Sequence, residues 1–440
     1  MNILLITTDQ QSGNAMSCAG NPHLRTPSMD RLAHNGVRFD GAYCSYPLCV
    51  PARMSFFTSR MPHELGIYVN TQETDEPCPA PMLGARLRDA GYHCHYVGKW
   101  HLTVPEKNSD EHGFREIVFG GGYGGPDGNK AAEAVKFLNR RHKDPFFLVV
   151  SFNNPHDCCE LARGESMRMA PLPDLPPDNE LPPLPVNFES VPAEPEALRD
   201  FQRNFPRVGR AQDWNEIETR RYRWGYNRLV EMADAETGKV LDALESNGLW
   251  DDTLIIFLSD HGDGQGAHRW NQKWCMYDEV SRVPFIVKAP GRPAPGRVNK
   301  RVVSASLDIF PTICDYTGIA APGAIRGQSV RPHVENRAVG TERKFAASES
   351  SFGNWGPLRE DKWPKSRMIR SDQFKYVAYD TGNFREQFFD MQNDPHETEN
   401  LSNNAKYSDI LDEHRGYLGK WLEETRDSFD MPDAGRAQRD

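Results

Sequence analysis

The stretch Thr253-Leu254-Ile255-Ile256-Phe257-Leu258-Ser259-Asp260-His261-Gly262 decides the reading of the fold. Its first six residues are apolar on both alternating faces, and the chain then switches to Ser-Asp-His-Gly. A strand apolar on both faces belongs to a sheet covered on both sides, which in practice means a parallel sheet flanked by helices. Two further runs repeat the pattern. Ile3 to Thr8 leads into Asp9-Gln10, and Phe146 to Phe152 leads into Asn154-Pro155-His156. Shorter strands are expected at His93 to Val97 and Pro284 to Lys288. Between them lie helical patterns. Pro27 to Gly36 has Pro27 in its first turn and Gly36 at the position after its end. Pro81 to Ala90 is closed by Gly91, and Ala131 to His142 and Glu218 to Ser246 follow. This alternation predicts an α/β fold, with a large, mostly parallel sheet sandwiched by helices. Such sheets bind ligands at the carboxyl ends of their strands, and all three quoted strands end in metal-ligand or acid–base residue types.

Two regions depart from the alternation. Pro171 to Pro195 holds nine prolines in 25 residues, within an excursion over residues 160–215. Long stretches of this kind in a compact chain are functional lids or disordered. After Thr341 short β-like runs (Phe345 to Glu349, Met368 to Arg370, Phe374 to Tyr379, Gln387 to Asp390) precede a helix from Asp409 to Arg426. They predict a smaller C-terminal α+β subdomain with an antiparallel sheet, dividing the 440 residues into 1–340 and 341–440. With 38% hydrophobic and 26% charged residues the chain is a globular protein rather than a disordered one. The net charge of −10 argues against a nucleic-acid or anionic-membrane footprint, and no apolar run reaches the ~18 residues of a membrane helix. The chain enters its first strand directly after Met1-Asn2. It is therefore expected in the cytoplasm if Met1 is the native start, and in the periplasm or outside the cell if a signal peptide was trimmed. Nine cysteines are odd in number and too sparse for a disulfide scaffold.

One cysteine stands out. Cys49-Val50-Pro51-Ala52-Arg53 places a thiol before a proline and an arginine, a pattern that nine cysteines produce by chance in roughly one chain in forty. Taken alone, Cys49 reads equally as a buried thiol beside a turn. The pattern has company, in order along the chain. Asn2 to Ile6 leads to Asp9, and Thr26-Pro27-Ser28-Met29-Asp30-Arg31-Leu32 follows. After Cys49-x-Pro51-x-Arg53 come Thr58-Ser59-Arg60 and Gly98-Lys99-Trp100-His101-Leu102. Next are Asn154-Pro155-His156, Ser259-Asp260-His261-Gly262, Lys273, and a tail of Phe389 to Pro395 with Glu399-Asn400-Leu401. With this set the chain resembles the type I sulfatases of the alkaline-phosphatase superfamily, nearly from end to end.

The resemblance implies that Cys49 is oxidised to formylglycine by a maturation enzyme and that the hydrated aldehyde is the nucleophile. One hydroxyl attacks sulfur, and the other is deprotonated to expel sulfate. Arg53 is implied to bond the diol, with a helix starting after Pro51 aiming its N–H groups at the anion. Asp9, Asp260, His261 and residue 49 are implied to hold one divalent metal. Ca²⁺ is the family expectation, and Mn²⁺ and Mg²⁺ are the alternatives. Where many members carry paired Asp at the end of the first strand, this chain has Thr8-Asp9, so Thr8 is not carried over. Lys99 is implied to bind the diol or sulfate and His101 to take the proton that triggers elimination; two apart on an extended segment, they face one side. His156 and Lys273 are implied to bind the sulfate and protonate the leaving oxygen.

Other residues are open. Gln10 touches the substrate anion or is a capping residue, and His268 contacts substrate or packs in its loop. Cys158-Cys159 could line the pocket, while Trp214, Trp224, Trp355, Arg359 and Trp363 rim it or serve subunit contacts in a homo-oligomer. The favoured substrate is a glycan or small-molecule sulfate ester, a sulfated sugar first and choline sulfate next. Asp9-Gln10 and Asn70 look somewhat like the phosphonate monoester hydrolases and phosphodiesterases of the same superfamily, the runner-up activity. A degenerate sulfatase-like glycan-binding protein is the non-enzymatic alternative.

Overall fold

A computed structural model of the protein describes residues 1–432 apart from 71–75, 121–124, 168–170, 190, 205–212, 292–294, 339–342 and 354–362. Trp355 and Arg359 lie outside the described residues. Eight strands form the large sheet: β1 (Asn2–Asp9), β2 (Val37–Tyr43), β3 (His93–Gly98), β4 (Glu116–Val118), β5 (Phe146–Pro155), β6 (Thr253–Ser259), β7 (Phe285–Lys288) and β8 (Arg297–Ser304). Their spatial order is β4-β3-β5-β1-β6-β7-β2-β8. Described pairs are parallel except those of β7, which runs antiparallel to both β6 and β2.

The central strands show why double-sided apolarity was the deciding signal. On β1, Ile3 and Leu5 enter one hydrophobic cluster while Leu4 and Ile6 enter another on the opposite face. β6 divides the same way, with Leu254, Ile256 and Leu258 on one side and Ile255 and Phe257 on the other. One face is covered by the Cys49–Thr58 and Ala305–Thr317 helices, the other by the Asp127–Leu138 and Glu216–Ser246 helices. The last of these begins in a capping box, Asn215 with Glu218, which fixes its start.

Near the C-terminus a second sheet has the order β12-β11-β10-β9, formed by β9 (Ala346–Ser351), β10 (Lys365–Arg370), β11 (Phe374–Tyr379) and β12 (Glu386–Asp390), all pairs antiparallel. The Ser408–Thr425 helix packs on one of its faces. Among the described residues no helix is long and apolar enough to cross a membrane.

Several local expectations shift. The helix expected from Ala131 starts at Asp127 and ends at Leu138. The Pro-rich segment holds one 3-10 turn, Asp178–Glu180, and is tied to the long helix by Arg220, whose Nε donates to Pro182 O at 3.0 Å. Gly36 follows the first helix, α1 (Pro27–Asn35), in an extended conformation rather than the left-handed cap. Its lack of a side chain serves a close approach instead, since a Cβ there would stand 2.5 Å from Val287 O of β7.

Candidate active site

Four neighbouring strands, β3-β5-β1-β6, deliver their carboxyl ends to one place. Thr8 pairs with Ser259, so Asp9 and Asp260 leave the sheet at the same level. Gly98 pairs with Ser151, and Lys99 N donates to Ser151 O at 2.9 Å. Gly98 has φ +106, and a Cβ on it would sit 2.0 Å from Ser151 O, so only glycine lets the chain turn here towards the site. Beyond it Trp100 is buried, with Nε1 donating to Val104 O at 2.8 Å. His101 has φ 47, so the segment is not regularly extended. Lys99 and His101 still both reach the site, held by a left-handed residue rather than by strand alternation.

Cys49 opens the second helix, α2 (Cys49–Thr58), three residues earlier than expected. Pro51 is tolerated because first-turn N–H groups have no intrahelical acceptor anyway. Leu48 makes no side-chain cap, and Asn70 supplies one from a distance: its Oδ1 accepts from Val50 N at 3.0 Å. Asn70 thereby positions the helix end that carries Cys49.

The Cys49 thiol is fully buried and ringed by charged groups. Lys273 Nζ lies 3.0 Å from its sulfur, His261 Nε2 3.3 Å and Asp9 Oδ1 3.7 Å. The thiol also acts on His101 and His156, opposing the burial that lowers both. Burial and the Asp9 charge push the thiol up, but Lys273 and Lys99 together hold it well below its ordinary value. The site therefore stabilises negative charge at residue 49.

The two carboxylates are locked by Arg53, which is 1% exposed. Its Nε donates to Asp260 Oδ2 at 3.0 Å and its Nη2 to Asp9 Oδ2 at 2.7 Å; Nη1 donates to Ser151 Oγ at 2.8 Å and to Lys99 O at 3.3 Å. The guanidinium thus serves the carboxylates, and none of these four bonds goes to Cys49. Lys99 Nζ is 2.7 Å from Asp9 Oδ2. Burial opposes the charge on Asp9, yet Lys99 and Arg53 hold its carboxyl well below the usual range. Asp260 is pushed up to about 6 by burial and by Asp9. Two carboxylates in one buried site repel, and a cation between them relieves that repulsion.

Asp9, Cys49, Asp260 and His261 each offer one ligand atom, all within 4.8 Å of one another. His261 Nδ1 lies 2.9 Å from Gly262 O and donates to it, which leaves the Nε2 lone pair facing the other three. Two carboxylates and one imidazole beside residue 49 fit a single divalent ion with mainly oxygen ligands. Thr8 points elsewhere, donating to Gln11 Oε1 at 2.9 Å.

His156, beyond β5, has Nε2 3.9 Å from Asp9 Oδ1. Burial, then Lys99 and Lys273, push it down to about 3, so it rests neutral. His101 is likewise lowered by burial. Gln10 is drawn into the wall of the site: its Nε2 donates to Asp263 Oδ2 at 2.8 Å and its backbone N to Asp260 Oδ1 at 3.0 Å. Asp263 is a hub that sequence reasoning missed. It also accepts from Tyr222 OH at 2.9 Å and from Gln272 N at 3.1 Å, joining the β1 exit, the long helix and the loop that carries Lys273. Its only sequence signal was its place two residues after His261. Cys159 lines the same wall, with Sγ donating to Gln272 Oε1 at 2.8 Å. All nine cysteines are free thiols. His268 is fully buried and stacked on Tyr277 with ring centroids 3.8 Å apart, and its Nε2 lies 3.0 Å from Asn187 Nδ2. Trp214 packs beside Tyr222, and Trp224 is 9% exposed on the long helix.

Comparison with known proteins bears on this geometry. Residues 1–319 match the family model described as Sulfatase, and residues 266–424 match N-sulphoglucosamine sulphohydrolase, C-terminal. A Delta 4,5-hexuronate-2-O-sulfatase of Bacteroides thetaiotaomicron is 30% identical, over 97% of this chain and 90% of that protein. A choline-sulfatase of Rhizobium meliloti is 28% identical over 92% and 83%. Among solved structures, a 2-O GAG sulfatase superposes with a TM-score of 0.83 at 28% identity, covering 99% of this chain and 95% of its own. The phosphonate monoester hydrolase of Agrobacterium radiobacter, at 24% identity over 97% and 95%, has a TM-score of 0.77 and shares the fold.

Proposed function

The chain belongs to the sulfatase family of sulfuric ester hydrolases, and from that premise we propose that it removes sulfate from a sulfated carbohydrate with residue 49 carried as formylglycine. The observation that carries the reading is the ring of Lys273, His261 and Asp9 around the Cys49 sulfur at the start of α2. A 2-O-sulfated hexuronate is the first substrate to test, because a relative named for that substrate and a solved 2-O GAG sulfatase both match nearly the whole chain. In this reading residues 1–340 are the catalytic unit and 341–440 a subdomain packed on it, and a formylglycine-generating enzyme is the maturation partner.

As a hydrated aldehyde, residue 49 presents one hydroxyl to attack sulfur and a second whose deprotonation expels sulfate. Asp9, Asp260, His261 and the residue 49 oxygen would hold one divalent metal, Ca²⁺ first, whose charge lowers the pKa of the attacking hydroxyl. Arg53 keeps both carboxylates turned to that position. His101 is kept neutral by burial and stands at residue 49, which suits a base for the second hydroxyl. Lys99 and Lys273 face the sulfate oxygens as fixed cations. Of the two groups at the leaving oxygen, Lys273 carries its proton. His156 acquires one when the ester's charge offsets the neighbouring lysines.

The test pairs mass analysis of the Phe39–Arg53 peptide, after co-expression with a maturation enzyme, with a panel of sulfated saccharides, choline sulfate and a phosphonate monoester. Expected are an aldehyde at residue 49, loss of turnover in Cys49→Ala, and highest kcat/KM on a sulfated saccharide. An unmodified but active Cys49 refutes the nucleophile. Preference for choline sulfate or the phosphonate refutes the substrate class.

A further inference from the structure

The β4 edge of the large sheet carries a second group of metal-ligating side chains, remote from residue 49. His93 and His95 are two apart on β3, so their rings stand on the same face. β3 and β4 pair in parallel with His95 opposite Glu116, which brings that carboxylate beside both rings. Glu116 Oε2 is 3.4 Å from His95 Nδ1, and Oε1 is 3.6 Å from His93 Nε2. One ligand atom from each residue lies within 4.8 Å of the other two. His95 is 1% exposed, and its Nδ1 is buried without a hydrogen bond. Its ring stacks on Phe137 at 4.4 Å and 13°, which fixes the direction of that nitrogen. The His93 and Glu116 side chains are 30% and 43% exposed, so an ion can enter from solvent.

We propose that His93, His95 and Glu116 bind a borderline divalent transition ion, with Zn²⁺ as the reference ligand, and that the ion clips β4 to β3. The spacing supports this. Bonds of about 2.1 Å at a tetrahedral angle leave ligand atoms roughly 3.4 Å apart; here each ring nitrogen faces its own oxygen of Glu116, at 3.4 Å for His95 and 3.6 Å for His93, so a carboxylate bound through both oxygens serves both rings. Two imidazoles with one carboxylate suit Zn²⁺ and leave a position for water, whereas Ca²⁺ prefers oxygen ligands alone. The competitor is Arg140, whose Nη1 lies 3.0 Å from Glu116 Oε2; its side chain is 49% exposed and can swing away. The site stands at the start of the strand whose far end delivers Lys99, about 17 Å away at ~3.3 Å per residue. A clip there holds β4 without touching the candidate active site.

The test is calorimetric titration of Zn²⁺ into the Ca²⁺-loaded full chain. Wild type should bind one Zn²⁺ more than His93→Ala, and Glu116→Gln should weaken that event at least about tenfold. Arg140→Gln should tighten it by removing the competing cation. All three variants should keep wild-type desulfation in Ca²⁺ and an unchanged metal-free melting midpoint, which shows that they fold. With Co²⁺ as probe, wild type should show the d–d absorption of a low-coordinate site that His93→Ala lacks. Equal Zn²⁺ stoichiometry and affinity in wild type, His93→Ala and Glu116→Gln would overturn the proposal.

Discussion

Glu194→Gln should stabilise the protein increasingly as pH rises. Glu194 lies at the end of the Pro-rich segment and is 2% exposed. Its Oε1 accepts from Tyr277 OH at 2.6 Å, and Tyr277 OH in turn accepts from Gln387 Nε2 at 3.0 Å, so the residue joins the segment to the loop after Lys273 and to β12. Its Oε2 is buried without a hydrogen bond. Burial pushes the carboxyl from its ordinary 4.5 up to about 7, against the Tyr277 bond and Arg199. The folded pKa is the higher one, so between these values the folded chain holds more protons than the unfolded chain. Stability is therefore lost as pH rises through that window. At 1.36 kcal/mol per pKa unit the full effect is about 3 kcal/mol, most of it developing between pH 5 and pH 8. Glutamine keeps the acceptor for Tyr277 and mimics the neutral acid. With an unfolding entropy of about 2.1 cal/mol/K per residue, the advantage of Glu194→Gln in melting midpoint should grow by about 3 °C from pH 5 to pH 8. Differential scanning calorimetry at matched ionic strength measures it. An advantage that does not change with pH would show that Glu194 ionises inside the fold without cost, and the argument from burial would fail.

Other outcomes follow from the site. Asp260→Asn keeps the side-chain volume but removes one charge facing the metal position, and should cut kcat/KM by about 10² or more; metal analysis before and after chelation checks that the loss tracks the ion. His101→Ala should release about one alcohol per active site in a stopped-flow burst and then stall, because only the later proton removal is lost. His156→Ala should slow the first step, far more for a sugar sulfate than for an activated aryl sulfate; equal losses on both esters with no burst in either variant would refute this division of labour. Gly36→Ala forces a Cβ against Val287 O and should cost about 1–3 kcal/mol with desulfation unchanged, read as a lower melting midpoint.

Much of this protein was legible in one dimension. The strands Asn2–Asp9, Phe146–Pro155 and Thr253–Ser259 announce themselves because a strand buried on both faces must be apolar at every position. Their polar exits mark the catalytic end, since the chain turns polar where the sheet stops. The antiparallel C-terminal sheet was visible in its short apolar runs, and the family in the ordered motifs around Cys49. β2 was not, because Arg38, Asp40 and Gly41 interrupt its apolar pattern, nor was β8, whose first residues lie half exposed at the sheet edge.

What only the tertiary structure decided is where side chains point once they leave regular elements, and what they meet. His101 reaches residue 49 through a left-handed residue that no periodicity encodes. Arg53 turns to Asp9 and Asp260, partners 44 and 207 residues away, and Asn70 caps a helix begun 21 positions earlier. Gly36 reads as a helix stop and instead admits the backbone of β7. Asp263 gathers Gln10, Tyr222 and Gln272, and Glu116 reaches His93 and His95 only through strand register. Local sequence records propensity and burial period, which act over a few residues. Charge pairing, close approach and register arise between segments distant in the chain, and they exist only once the sheet has brought those segments together.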